Sequence, residues 1–334
     1  MATVTAVPEV DLCHPAGQLR TRLRDVAHEV GFFYLTGHRV PESLTRRVLA
    51  AARQLFALPQ ADKDAVAMIR SPHFRGYTRL GGELTRGEVD WREQIDIGPE
   101  REPIAGAGRP DYLWLQGPNQ WPAGLPELPG IIGEWDAALA AVSRSLLRHW
   151  AVALGNPADI FDAAFDSTPA TLIKVVHYPA TAASSQGVGA HRDSGVLTLL
   201  LAEPGSAGLQ VRGRDGGWVD VSALDGAFIV NIGELLELAT GGYLRATEHR
   251  VNLRQSADRV SVPYFFNPRL DAEIPRLPLP AALARRADPR ADPSDPILSP
   301  YGRNAWKSRL RAHPDVAAAH GYVTGSAEVV TPDG

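Results

Sequence analysis

Gly189-Ala-His-Arg-Asp-Ser-Gly-Val-Leu-Thr-Leu199 places two metal-binding residue types, His191 and Asp193, two positions apart within a largely apolar run over 188–201. In an extended chain, residues two apart face the same side. An imidazole and a carboxylate are therefore expected to point together from one strand face. Similar short runs surround this one, at 171–178, 208–212, 217–221, 227–232, 247–253 and 259–266. They are rich in Val, Ile, Leu and aromatics, and turns containing Gly, Asp or Ser separate them. Many short strands at fairly even spacing predict a sandwich or barrel. No strand–helix alternation occurs here, which disfavours a parallel doubly wound sheet.

Before this region the pattern is helical. Leu19, Leu23, Val26, Ala27 and Val30 recur at helical spacing, and Gly31-Phe-Phe-Tyr-Leu-Thr-Gly37 reads as a short buried strand. Pro41 opens a second helix with Leu44, Val48, Ala52 and Leu55 on one face. Residues 98–130 read as loop, and Trp135, Leu139, Val142, Leu146 and Trp150 mark a long amphipathic helix on which His149 is a packing or surface residue. Residues 271–300 are Pro-rich and read as an ordered loop or lid, and Asn304 to Ala319 as a closing helix. The expectation is a single domain over 1–334: a mostly helical region at 1–165, a β-core carrying the site at 170–268, and a Pro-rich loop with a C-terminal helix at 269–334.

Composition narrows the chemistry. Cys13 is the only cysteine, so any metal must be held by His and carboxylates rather than thiolates. Apolar content of 44% with 22% charged residues suffices for a substantial core, yet no stretch reaches the roughly 18 consecutive apolar residues of a membrane helix. A net charge of −4 with scattered basic residues gives no footprint for nucleic acid or an anionic membrane. The first residues show neither a basic n-region nor a long apolar run, so the chain is expected to be cytoplasmic.

A third ligand is needed, and His249 in Ala246-Thr-Glu-His-Arg-Val251 is the best candidate. Two His and one carboxylate form the facial triad typical of non-haem iron(II), with positions left open for other ligands. The spacing alone is not selective, because His313-Pro-Asp315 repeats it. That second pair lies in an Arg-rich segment before an Ala-rich helical run, where Asp315 suits a helix N-terminus. Ten residues past His249, Arg259-Val-Ser261 puts a guanidinium and a hydroxyl on one strand face, a good receptor for a carboxylate. Arg254-Gln-Ser256 has the same pattern but reads as the turn between two strands.

With these elements in order, the sequence resembles the isopenicillin N synthase-like family of 2-oxoglutarate/iron(II) oxygenases. Further matching pieces are Gly31 through His38 followed by Pro41, Gly208-Leu-Gln-Val211 with Trp218-Val219, Val230-Asn-Ile-Gly233, Thr240-Gly-Gly-Tyr243 and Glu248-His-Arg-Val251. The resemblance implies a double-stranded β-helix (jelly-roll) core with flanking helices. It implies His191, Asp193 and His249 as iron ligands, and Arg259 and Ser261 as holders of the far carboxylate of 2-oxoglutarate. Ile173-Lys-Val-Val-His-Tyr178-Pro is similar to a family strand whose last Tyr touches the co-substrate, here Tyr178. Lys174 shares its face, Val176 stands where many relatives have Asn, and His177 points the other way. Phe265 is a candidate for the substrate pocket, as is Tyr77 in a segment, 74–96, resembling one that closes over substrate. Arg192 departs from the small residue common between the two ligands and reads as a local salt-bridge former or a recruiter of an acidic substrate.

The implied activity couples decarboxylation of 2-oxoglutarate, with O2, to hydroxylation, desaturation or cyclisation of a small molecule, possibly in specialised metabolism. The presence of Asp193 argues against a halogenase. An oxidase of the isopenicillin N synthase or aminocyclopropane-carboxylate oxidase type, without 2-oxoglutarate, is the alternative, and Arg-x-Ser does not separate the two. A non-catalytic jelly-roll binding protein is disfavoured by the intact triad and clamp.

Overall fold

The computed structural model of the chain describes residues 7–104, 106, 108–180, 186–253, 258–290, 292–293 and 295–322. Its strands are β1 (Glu9–Asp11), β2 (Phe32–Thr36), β3 (Gly76–Thr78), β4 (Glu83–Thr85), β5 (Glu88–Asp90), β6 (Glu93–Ile97), β7 (Leu172–Tyr178), β8 (Gln186–His191), β9 (Leu197–Ala202), β10 (Leu209–Arg212), β11 (Trp218–Val221), β12 (Phe228–Ile232), β13 (His249–Asn252) and β14 (Arg259–Phe266). The larger sheet has eight strands in the order β1-β2-β12-β9-β14-β7-β6-β3, and the smaller has four in the order β11-β10-β13-β8. Apart from the parallel β1–β2 pair, the strands of both sheets pair antiparallel. Hairpin β4–β5 lies against β8, with Trp91 N–H donating to the Gln186 carbonyl at 3.0 Å.

The two sheets enclose one apolar layer, containing Phe32, Val176, Tyr178, Val188, Leu209, Val211, Ile229 and Val251. The other face of the larger sheet is covered by α1 (Ala16–Glu29), α2 (Glu42–Ala57) and α4 (Leu128–Ala153), and packs Phe33, Leu199, Val230, Val260, Val262 and Tyr264 against them. Alternation explains how a strand serves both layers: Val176 and Tyr178 face inward, while Ile173 and Val175 face the helices. On α4, Leu128, Ile131, Ile132, Trp135, Leu139, Val142, Leu146 and Trp150 recur at steps of three and four and are all buried. Trp150 also donates its indole N–H to the Leu23 carbonyl at 3.1 Å, locking α4 to α1. Truncating such a residue costs about 3–5 kcal/mol. Gly31 joins α1 to β2 at φ +69°, and a Cβ there would lie 1.9 Å from the Arg245 carbonyl oxygen, so no larger residue fits.

Three expectations need revision. The first 165 residues hold long helices and the expected strand β2, but they also give β1, β3 and β6 to the larger sheet. The run 188–201 is two strands, not one: β8 ends at His191, the chain crosses between sheets, and β9 begins at Leu197. The crossing is close, because a Cβ on Gly195 would sit 2.0 Å from Asn267 Oδ1. The closing helix is two helices, α8 (Tyr301–Ala312) and α9 (Pro314–Ala319), broken at His313. Short helices α3 (Gln60–Ala65), α5 (Asp162–Phe165), α6 (Glu234–Ala239) and α7 (Ala281–Ala284) complete the order. Arg254-Gln-Ser256 lies outside the described residues. Among the described residues, no helix is long and apolar enough to cross a membrane.

Candidate metal centre

His191 closes β8, His249 opens β13, and the two are cross-strand partners with ring centroids 4.4 Å apart. Asp193 reaches them from the crossing segment. Its Oδ1 lies 3.5 Å from His191 Nε2 and 3.8 Å from His249 Nε2. The three ligand atoms lie within 4.8 Å of one another, and among the described residues no other group of three His, Cys or acidic side chains converges like this.

Each residue is aimed from behind. His191 Nδ1 is 2.8 Å from the Gly189 carbonyl, and His249 Nδ1 is 3.0 Å from the Thr247 carbonyl. A carbonyl only accepts, so each Nδ1 carries the proton and each Nε2 offers a lone pair to the shared space. Asp193 Oδ2 accepts from Thr198 Oγ1 at 2.5 Å and Asn231 Nδ2 at 2.8 Å, which leaves Oδ1 facing the imidazoles. Burial pulls His249 down to about 4, so it is neutral at pH 7. Burial alone would raise Asp193, but its surroundings, the neighbouring imidazoles and the Thr198 hydrogen bond, hold it well below the usual carboxylate range. Two neutral-capable nitrogens and an ionised carboxylate on one face fit ferrous iron with its remaining positions open.

Along the same interior face lie Arg259, Ser261 and Tyr178. Arg259 and Tyr178 are cross-strand partners, and the guanidinium carbon stands 4.5 Å over the phenol ring. Arg259 is 4% exposed, its Nε has no hydrogen-bond partner, and it makes no ion pair with a described carboxylate. Ser261, two residues on and also buried, makes no side-chain hydrogen bond to a described residue. A buried cation beside an uncommitted hydroxyl is a receptor for a carboxylate.

The remaining sequence candidates divide. Phe265 faces inward between Thr198 and Leu172, and Thr198 is the donor to Asp193. Arg192 has its described partner in Glu234, at the limiting distance of 3.9 Å; burial pushes the Glu234 carboxyl up to about 7 although Arg192 pulls it down. Tyr77 is not brought to the metal. It sits on the helix side of β3 opposite Ile95, and its hydroxyl donates to Glu93 Oε2 at 2.5 Å. Alternation explains this, since Gly76 and Thr78, not Tyr77, share the inward face of Asp96 and Gln94. Lys174 faces inward but pairs with Glu83 at 2.9 Å and Asp96 at 3.0 Å. His177 faces outward, between Glu93 and Asp258. His313 is buried and Asp315 exposed in the first turn of α9, so the second His-x-Asp pair does not converge.

Sequence reasoning missed Thr198 and Asn231, which orient Asp193. The signal was available: each is a buried polar residue within an otherwise apolar strand, where burial demands a partner.

A jelly roll with two histidines and one aspartate at its mouth defines a non-haem iron protein. Residues 7–124 match the family model for the non-haem dioxygenase N-terminal region (named for morphine synthesis), and residues 170–268 match that of the 2OG-Fe(II) oxygenase superfamily. The chain is 34% identical to the 2-oxoglutarate-dependent dioxygenase frbJ of Dothideomycetidae sp. (strain 11243), covering 88% of this chain and 85% of that one. It is 31% identical to a homoarginine-6-hydroxylase of Oryza sativa subsp. japonica, covering 77% and 80%. Among solved structures it resembles JOX2 in complex with 2OG, Fe and JA (TM-score 0.68, 26% identity, covering 94% and 88%). The full-length Neurospora crassa protein in complex with alpha-KG aligns at TM-score 0.69 with 25% identity, covering 83% and 90%. The chain belongs to the 2OG-Fe(II) oxygenase superfamily. It is an iron(II)-dependent dioxygenase that uses 2-oxoglutarate and O2, and the oxidase alternative without 2-oxoglutarate is not favoured.

Proposed function

We propose that His191, Asp193 and His249 hold the iron, that Arg259, Ser261 and Tyr178 receive 2-oxoglutarate, and that the oxidation falls on a small molecule bound at the same mouth. When bound, iron and 2-oxoglutarate supply the oxidising power for hydroxylation, desaturation or ring formation. One observation carries the reading: three ligand atoms converge within 4.8 Å, on the same interior face as a buried Arg259 whose Nε has no partner. The chain contributes binding and orientation. Gly189 and Thr247 carbonyls fix the imidazoles, Thr198 and Asn231 fix the carboxylate, and the apolar layer around Tyr178 and Val176 keeps water from the clamp. The whole chain acts as a single oxygenase domain in a cytoplasmic setting, a reading supported by an exposed free Cys13 and no other cysteine.

The test is anaerobic reconstitution with iron(II), then 2-oxoglutarate. A weak visible charge-transfer band and succinate formation in air are expected. Iron bound with neither band nor succinate would overturn the assignment of the Arg259 clamp to 2-oxoglutarate.

A further inference from the structure

A second set of cationic groups lies at the mouth of the barrel, outside the iron site and the Arg259 clamp. Arg75, Arg101 and Arg269 line a cavity of about 300 Å3 whose apolar wall includes Ile104, Leu113 and Leu270. Arg269 is engaged, with Nε 3.0 Å from Asp271, which also lines the cavity. Arg75 and Arg101 make no ion pair with a described carboxylate. Arg75 is 7% exposed; one of its Nη groups donates to the Leu115 carbonyl at 3.0 Å, and its Nε has no partner. Three arginines and one aspartate line the cavity, while Asp96 and Glu100 act on Arg75, and Asp136 on Arg101, from outside its wall without pairing with them. Burying an unmatched guanidinium is unfavourable unless a ligand answers it.

The position of the cavity ties it to the iron. Arg75 immediately precedes β3, Pro99 and Arg101 follow β6, Ala170 precedes β7, and Arg269 and Leu270 follow β14. The registers bring these four strand ends together: Gly76 faces Asp96, Ile97 faces Ile173, and Leu172 faces Phe265. Phe265 in turn faces Thr198, the residue that holds Asp193. Asn267, two residues before Arg269, accepts from the Val196 N–H at 3.3 Å, three residues past Asp193. Arg75 is also held in place, since a Cβ on Gly98 would lie 2.1 Å from its Nη2, so the guanidinium rests against bare backbone.

Resting on the reading above, we infer that Arg75, assisted by Arg101, binds the carboxylate of the substrate, and that the substrate class is a carboxylic acid with an apolar portion. A guanidinium fork takes a carboxylate through paired hydrogen bonds. The apolar wall of the cavity covers the rest of the molecule.

The test uses the full chain loaded with iron(II) and saturating 2-oxoglutarate under anaerobic conditions, so that the Arg259 clamp is filled. Calorimetric titration compares 5-phenylpentanoate with 5-phenylpentanamide. The acid is expected to bind at least about tenfold more tightly, because a site built for a charged partner rejects its neutral analogue. Arg75→Met should abolish that preference, Arg101→Met should reduce it, and Arg75→Lys should restore part of it. Arg47→Met, at an exposed ion pair on the helical layer, should leave it intact. Equal binding of acid and amide by the unaltered protein, or no binding of either, overturns the inference without any variant. So does a preference that survives Arg75→Met or vanishes in Arg47→Met. The charge-transfer band separates the two readings. Its absence defeats the assigned clamp, whereas a band with no acid preference defeats only the substrate class.

Discussion

Two buried polar clusters share the interior of this barrel, and they differ in whether their charges answer one another. In the first, Lys174 bridges Glu83 and Asp96, Arg92 lies 2.8 Å from Glu83, and Arg309 of α8 pairs with Asp96. Each of these charges has an opposite one beside it, and the cluster ties hairpin β4–β5, the sheet and the C-terminal helix together. In the second, two imidazole nitrogens and a carboxylate oxygen face a common point, and Arg259 makes no ion pair with a described carboxylate. Burial is similar in both, so burial does not mark the site. Unpaired charge does: Arg92 Nε and His313 Nε2 also lack hydrogen-bond partners, but the charges of the first cluster are paired and make it architecture, whereas Arg259 has no described carboxylate beside it.

The sharpest way to break the comparison is to exchange the roles of two buried histidines. His249→Ala should lose iron and all 2-oxoglutarate turnover. His313→Ala, whose neutral ring lies 3.6 Å from Glu83, should keep both. Iron content by metal analysis and succinate yield decide it, and loss of iron from the His313 variant would put the metal in the wrong cluster.

Next in size is a stability effect confined to the first cluster. Asp96→Ala leaves Lys174 and Arg309 buried side by side, and losing one partner of a buried network costs about 3–5 kcal/mol. In a chain of 334 residues that lowers the unfolding midpoint by about 4–7 °C. Arg259→Met should do the opposite. It removes a buried charge that has no described partner, so the midpoint of the protein without co-substrate should hold or rise, while 2-oxoglutarate affinity falls at least about thirtyfold. A midpoint drop in Arg259→Met as large as that of Asp96→Ala would mean the two clusters are not different in kind.

The same contrast explains what could be read in the sequence. His191, Asp193, His249, Arg259 and Ser261 were legible because each residue type bears its chemistry locally and sits near an apolar strand that fixes its side. Even so, the local reasoning for Asp193 was incomplete. It stands on a crossing between two sheets, not on a continued strand, and the Gly195–Asn267 approach that shapes the crossing joins residues far apart in sequence. Tyr77 was misplaced because a three-residue strand carries too little alternation to say which side faces inward. The Glu83–Asp96–Arg309 cluster was not legible at all, since its members come from separate segments with no shared spacing. His313 was separable by its context: its spacing to Asp315 mimics a ligand pair, but the helical run that follows set it apart, and its burial beside Glu83 adds the structural role that the sequence did not show.

The smallest expected effect concerns a third arrangement, on the helix side of the sheet, which is self-satisfied like the first cluster but can be titrated. His177 Nδ1 is 2.8 Å from Glu93 and Nε2 is 2.9 Å from Asp258, while its ring stacks on Phe56. Burial alone would lower this imidazole, but hydrogen bonds to Glu93 and Asp258 outweigh it and raise the pKa above 6.5. Glu93, which burial would raise, is held at about 2 by His177, Tyr77 and Lys63, so it stays ionised throughout the histidine's range. A folded pKa above the unfolded one means the contribution is full below about pH 6.5 and is lost as pH rises through the folded value. With Asp258 half exposed, that contribution is about 1 kcal/mol, or about 1–2 °C in the unfolding midpoint. The midpoint gap between the unaltered protein and His177→Gln should therefore be widest near pH 6 and shrink by pH 9. A constant gap would show that His177 acts by packing on Phe56 alone, and that only two of these three polar groupings work through charge.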